Sequence, residues 1–158
     1  MASSPKPKFC VDAMLGKLAR YLRLLGYDTL YFKDVEDEEI LSKCLEETRT
    51  VVSRDRGLCK KAIDLNIPIV CFNRSMSTSR LLSCLKDIGL IELNFDPVSS
   101  RCPLCNGELV PTQNPPISYG YKRERTYYVC KNCGMIYWVG RHMSTIKRTL
   151  GEARVESC

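Results

Sequence analysis

Two CxxC pairs, Cys102-Pro-Leu-Cys105 and Cys130-Lys-Asn-Cys133, stand 24 residues apart. Each lets one tight turn present two sulfurs to the same ion, and four thiolates hold zinc tetrahedrally, so ribbon and metal fold together. Pro103 and Gly134 supply the turn residues that such knuckles use. The spacing therefore predicts a structural zinc ribbon with four cysteine ligands. A second chemistry resides in carboxylates. Asp12 directly follows one short apolar run, Asp55 closely follows another, and a third acidic source runs from Asp34 through Asp37 and Glu38 to Glu39. Carboxylates that converge on one sheet edge hold a hard cation such as Mg2+ or Mn2+ through oxygen. That is the apparatus of metal-assisted phosphodiester hydrolysis, in which the cation activates water and offsets developing charge. Each acid also suits a structural role, because Asp at a strand-to-helix junction caps helices and acids in a first turn meet the helix dipole.

Cations surround both features. Arg54 and Arg56 bracket Asp55, and Lys17, Arg20 and Arg23 are expected on the solvent side of the first helix. Between the knuckles, Lys122, Arg123 and Arg125 interleave with Tyr119, Tyr121, Tyr127 and Tyr128, a pattern that attracts phosphates and stacks unpaired bases. The same tyrosines would also alternate into a small sheet. Residues 99–158 carry nine Lys and Arg against four Asp and Glu, +5 of the chain's net +6. A zinc tetrathiolate centre returns about −2 of that and leaves the ribbon basic.

The elements that must position these groups alternate in type. Lys8–Val11 is an apolar run. Ala13–Leu25 has apolar residues at three- and four-residue steps and ends at Gly26, a C-cap. Strands are expected at Asp28–Phe32, Thr50–Ser53 and Ile67–Phe72, with a further one at Leu90–Phe95. Helices are expected at Asp37–Glu47, Gly57–Leu65, Thr78–Ile88 and Thr145–Leu150. Alternation of short strands with ten-residue helices argues for α/β architecture, a mainly parallel sheet flanked by helices on both faces. In such sheets ligands bind outside the carboxyl ends of the strands, where Asp12 and Asp55 fall. Asp96–Ser100 reads as a linker to the ribbon.

With 158 residues the chain has room for one fair-sized core and a small metal-stapled module. Six cysteines outside the ribbon, Cys10, Cys44, Cys59, Cys71, Cys84 and Cys158, show no pairing logic in their spacing, which favours free thiols in a reducing, cytoplasmic setting. No run approaches 18 apolar residues and the N-terminus lacks a signal-peptide core, so no membrane role is expected. The only histidine, His142, reads as a surface or packing residue, and Trp138 as part of the ribbon's small core.

Together, residues 11–28, Asp37-Glu-Glu-Ile-Leu, Ser53-Arg-Asp-Arg56, Ser100-Arg-Cys-Pro-Leu-Cys-Asn-Gly107 and Cys133-Gly-Met-Ile-Tyr-Trp138 resemble a known unit. It is the PIN-like ribonuclease domain with appended zinc ribbon, found at the C-terminus of mut-seven type exonucleases and in stand-alone archaeal homologues. The resemblance runs from Phe9 to about Leu150. It implies a PIN-like domain at 1–97, a zinc ribbon with a short terminal helix at 98–150 and a tail at 151–158. It also implies a catalytic site of Asp12, Asp37 and Asp55 for Mg2+ or Mn2+, with Asp34 or Glu38 able to replace or assist Asp37, and RNA as substrate. A fuller PIN site has a fourth acid after the next strand; here that strand leads into Asn73, which offers an amide oxygen without charge.

The expected function is a metal-dependent ribonuclease. Lys17, Arg20, Arg54 and Arg56 would position phosphates, and Lys122, Arg123 and Arg125 would extend RNA binding onto the ribbon. The alternative is an RNA- or ribosome-binding adaptor that keeps the fold with little nuclease activity. A toxin of a toxin and antitoxin pair shares the chemistry, but such toxins usually lack a ribbon. PIN-like domains often pair, yet nothing in the sequence marks an exposed apolar face.

Overall fold

The computed structural model describes residues 5–117, 120–141 and 143–158, so Tyr119 and His142 lie outside the described residues. Four short strands, β1 (Phe9–Val11), β2 (Thr29–Tyr31), β3 (Thr50–Ser53) and β4 (Ile69–Cys71), form a parallel sheet in the order β2-β1-β3-β4. The connecting helices are α1 (Gly16–Leu24), α2 (Asp37–Glu46) and α3 (Arg56–Asp64), and α4 (Thr78–Asp87) follows β4. Strand order reverses between β1 and β3, so the crevice at their carboxyl ends is where a ligand fits.

Side chains alternate across the pleat and give the sheet two cores. Phe9, Val11 and Val52 face α1 and α4, while Cys10 and Val51 face α2 and α3. Both faces are covered, as the strand-helix alternation predicts. α1 stops where Gly26 takes φ 92°, a left-handed cap with Gly26 N donating to Arg23 O and Tyr27 N to Leu22 O.

Leu90–Phe95 is not a strand. Ile91 and Leu93 are buried and alternate as a strand would, but this segment lies on no sheet edge. Its backbone is held instead by side chains: Glu92 N donates to Tyr27 Oη at 2.8 Å, and Arg154 Nη2 donates to Leu93 O at 2.6 Å. The linker is likewise ordered, with Ser100 Oγ donating to Leu24 O at 2.5 Å.

The ribbon comprises β5 (Leu109–Thr112), β6 (Tyr127–Cys130) and β7 (Ile136–Trp138), antiparallel in that order. The last helix, α5 (Met143–Val155), extends beyond the expected Thr145–Leu150 at both ends and packs against α4. Leu150 and Ala153 belong to the larger core.

The six cysteines outside the ribbon are paired, which corrects the reading of them as free thiols. Cys10–Cys44 joins β1 to α2, Cys59–Cys71 joins α3 to β4, and Cys84–Cys158 joins α4 to the C-terminal residue. Their Cα separations of 6.4, 6.0 and 4.5 Å fall in the disulfide range. Each pair joins elements that only the tertiary topology makes neighbours, so spacing could not show it. Cysteine usage therefore gives no argument for a reducing compartment. Among the described residues, no helix is long and apolar enough to cross a membrane.

Candidate active site and metal centre

Asp12 sits at the end of β1, 7% exposed, and both its oxygens are engaged. Oδ1 accepts Met14 N at 2.8 Å and caps the 3-10 turn Ala13–Leu15; Oδ2 accepts Arg54 N at 3.0 Å and a short contact from Ser53 Oγ. Ser53 Oγ in turn accepts Asp55 N at 2.9 Å, which couples the ends of β1 and β3. Asp55 caps α3, its Oδ1 accepting Gly57 N at 2.8 Å and Leu58 N at 3.2 Å, while Oδ2 has no protein partner among the described residues.

Asp37 opens α2 and pairs with Lys61 Nζ at 3.2 Å. Asp34 follows β2 in the left-handed region at φ 58°, which Asp tolerates better than most residues. Asp12, Asp34, Asp37 and Asp55 line one cavity of about 150 Å3, floored by Phe32, Ile40 and Leu58. Glu38 does not line it. Its carboxylate is exposed and pairs with Lys61 at 2.9 Å, an interaction that lowers its pKa. Asn73 is absent from this cavity too, and the acid that joins Asp12, Asp37 and Asp55 in its lining is Asp34. Oxygen donors from three strand ends fit a hard cation in kind. Their spread is wide, however: the four cysteines are the only set of three or more acid, cysteine or histidine residues, among those described, whose ligand atoms lie within 4.8 Å of one another.

That sulfur set is compact. Cys102 and Cys133 sulfurs lie 3.7 Å apart and those of Cys105 and Cys130 3.4 Å apart, against about 3.8 Å around a tetrahedral zinc. Donors point at the sulfurs: Asn132 N and Cys133 N reach Cys130 at 3.4 Å each, and Asn132 Nδ2 reaches Cys105 at 3.4 Å. Burial opposes ionisation of Cys105, but the Asn132 amide and Gly107 N–H outweigh it and lower this thiol to about 6. Burial and the adjacent Cys102 sulfur, 3.2 Å away, raise the Tyr137 pKa, so its hydroxyl stays protonated as a donor to that sulfur. These groups fit zinc.

Gly107 is required by close approach, since a Cβ there would stand 2.7 Å from Cys130 Sγ and 2.9 Å from Asn132 Cβ. Gly107→Ala should therefore weaken zinc retention at least tenfold, the usual effect of disturbing groups around the ligands. A competition titration with a chromophoric chelator reads this directly, and unchanged retention would show that the knuckle can shift without cost.

The knuckle is bolted to the sheet through residues that sequence reasoning missed or misplaced. Arg23, expected at the solvent face, is 7% exposed. Its Nε donates to Thr29 O and its Nη1 to Pro103 O, both at 2.9 Å, while Arg23 O accepts Arg101 N at 2.8 Å. Burial lowers its pKa, and the Cys102 and Cys105 sulfurs act the other way. Asn106, left-handed at φ 72°, accepts Thr29 N at 3.0 Å and donates to Asp28 Oδ1 at 2.8 Å. The Asn-Gly dipeptide after Cys105 signals a left-handed turn, but nothing local reveals its partner in β2.

Among the other cations, Lys17, Arg20 and Arg56 are exposed, and Arg54 is half-buried with Nε unpartnered. Lys122 and Arg125 line an open groove on the ribbon, beside the exposed Arg123. The Arg125 guanidinium lies 5.3 Å from the Trp138 ring centre, and Trp138 meets Tyr127 edge-on.

The chain is an α/β domain with a parallel sheet and acids at its switch point, bearing a small antiparallel ribbon whose four cysteines could hold zinc. Residues 7–150 match the family model of the Mut7-C RNAse domain, and the chain belongs to that family. Its domain is thus of ribonuclease type. No curated protein and no solved structure matches the chain.

Proposed function

We propose that the protein is a Mg2+- or Mn2+-dependent ribonuclease that hydrolyses phosphodiester bonds at the pocket of Asp12, Asp37 and Asp55, with Asp34 as the additional acid. The observation that carries this reading is the single cavity shared by the four carboxylates in a chain of this family. The bound cation would supply charge neutralisation at the phosphoryl group and a more acidic water. The chain's own residues do the positioning. Ser53 Oγ and the Met14 and Arg54 amides hold the Asp12 carboxylate in one orientation, and Lys61 holds Asp37. Arg54 and Arg56, on either side of the Asp55 cap of α3, and Lys17 and Arg20 on α1 meet backbone phosphates. Lys122, Arg123 and Arg125 extend that contact onto the zinc ribbon, which assists RNA binding.

The decisive test is cleavage of end-labelled single-stranded RNA with Mg2+ or Mn2+. Asp55→Asn keeps a good helix cap, so loss of activity there reports lost charge and not lost fold. Both Asp12→Asn and Asp55→Asn should lower the rate by about three orders of magnitude, or ~4 kcal/mol of barrier. A second reading is favoured by the engagement of the acids, since Asp12, Asp37 and Asp55 all accept protein hydrogen bonds. On that reading the chain is an RNA- or ribosome-binding adaptor. Salt-sensitive RNA binding without cleavage by wild type or either variant would establish it.

A further inference from the structure

A second polar cavity, of about 250 Å3, opens on the α1, α4 and α5 face. Its walls come from three helices: Lys17 on α1, residues 77–79 at the start of α4, and Arg148, Thr149 and Glu152 on α5. Ser77 Oγ accepts Arg80 N at 3.3 Å, which leaves the Thr78 and Ser79 amides as unpaired donors at the positive end of a ten-residue helix. Lys17 and Arg148 are exposed, and neither forms an ion pair among the described residues.

Thr149 is an independent sign. It is 8% exposed and lines the cavity, yet its hydroxyl meets no hydrogen-bond partner among the described residues. The hydroxyl oxygen keeps solvent contact, so it is free to hydrogen-bond a ligand in the cavity. Two cations, two helix N–H groups and a hydroxyl donor suit a tetrahedral oxyanion.

The topology says which anion. α1 begins four residues after Asp12, and α4 is reached from the carboxyl end of β4, so both walls rise from the sheet edge that carries the acid pocket. A polynucleotide lying along that edge would pass from one cavity to the other. We propose that Lys17, Arg148, Thr149 and the start of α4 form a subsite for a backbone phosphate of the RNA strand, away from the scissile bond. This rests on RNA being the ligand of the acid pocket. Glu152 on the rim and Glu156, whose carboxylate accepts Ser79 Oγ at 3.1 Å beside the start of α4, oppose the anion, so the site favours a phosphate held by the rest of the strand over free phosphate.

The test is fluorescence anisotropy of the full zinc-loaded chain with a single-stranded RNA 12-mer across a series of KCl concentrations. Lys17→Gln and Arg148→Gln should each weaken binding roughly three- to tenfold and flatten the log–log salt slope by about 0.7, the value for one phosphate contact on a single strand. Arg148→Lys should restore the slope, Thr149→Val should weaken binding without altering it, and Glu152→Gln should tighten binding. Unchanged affinity and slope in both cation variants would overturn the subsite. So would inorganic phosphate saturating the Thr149 amide shift while leaving RNA affinity intact. The two readings separate cleanly: shifted binding without any cleavage keeps the subsite and removes the nuclease, whereas Asp12-dependent cleavage with wild-type binding in both cation variants does the reverse.

Discussion

Stripping the metal from the ribbon should destabilise the sheet domain as well as the ribbon, by about 3–5 kcal/mol, lowering Tm by roughly 10–20 °C. Small four-cysteine ribbons unfold without zinc, because thiolate ligation supplies most of their folding energy. Here the loss does not stop at Leu109. Pro103 O and Asn106 Oδ1, both in or beside the first knuckle, accept from Arg23 Nη1 and Thr29 N. Thr29 is fully buried and Arg23 nearly so, so an unfolded knuckle would leave the Thr29 amide without its acceptor and the Arg23 guanidinium with only Thr29 O. Each such loss costs about 1–3 kcal/mol, the cation more. The cluster's negative charge, which supports the Arg23 guanidinium, would go as well.

Amide exchange reads the effect locally: chelation should accelerate exchange at Thr29 and at residues 30 and 31 of β2, with little change in β4, at the far edge of the sheet. Asn106→Ala in the zinc-loaded protein isolates the link, and should reproduce part of the β2 effect while the metal stays bound. Equal protection at Thr29 with and without zinc would show that the two parts are energetically independent.

Much of this architecture is legible in the residues, and the limits have physical causes. Apolar period located α1 to α4 and β1 to β4 to within three residues, the largest difference being at the start of α1, where Ala13–Leu15 forms a 3-10 turn, because each element buries a face on a dedicated core. Asp12 and Asp55 were visible because a strand followed closely by an acid marks the ligand edge of a parallel sheet. Leu90–Phe95 misled for the same reason that period works elsewhere: alternation reports one buried face, and says nothing about whether a strand edge is free to receive it. Arg23 also misled, since its cationic side chain reads as solvent-facing while its real partners are carbonyls at Thr29 and Pro103. Asn106 and Arg49 carry tertiary hydrogen bonds to Asp28 that no local pattern encodes. The helix α5 extends past its expected end because Leu150 and Ala153 are held by α4, and the weak apolar pattern beyond Leu150 gave no hint of that partner.

Breaking Cys84–Cys158 should cost about 4 kcal/mol, the largest share of any of the three disulfides, because it closes the longest loop at 74 residues. The loop it closes contains the whole ribbon, and the bond ties residue 158 to α4, so its loss frees the C-terminal end of α5 from its packing on α4. Cys158 is exposed, so Cys158→Ala removes the cross-link without opening a cavity at the 2%-exposed Cys84. Tm should fall by roughly 10–15 °C, with faster exchange at residues 150–156 and little change in β1. Loops of 34 and 12 residues give Cys10–Cys44 and Cys59–Cys71 about 3–4 kcal/mol each in the same treatment. The order of reduction follows access instead. Cys158 and Cys71 are exposed, whereas Cys10 and Cys44 are 1% and 0% exposed. A thiol reductant must attack sulfur directly, so the first two bonds should open in the native protein and the third only on unfolding. Timed reduction, alkylation and mass spectrometry measure the sequence. Six cysteines alkylated before any reductant is added, or all three pairs opening at one rate in the native state, would refute the cross-linked core. If the order holds, the Cys59–Cys71 bond, one turn along α3 from Asp55, opens while the fold is intact. Cleavage activity measured before and after that step would then report how far the rigid seating of the α3 cap, and so of the Asp55 carboxylate, depends on it.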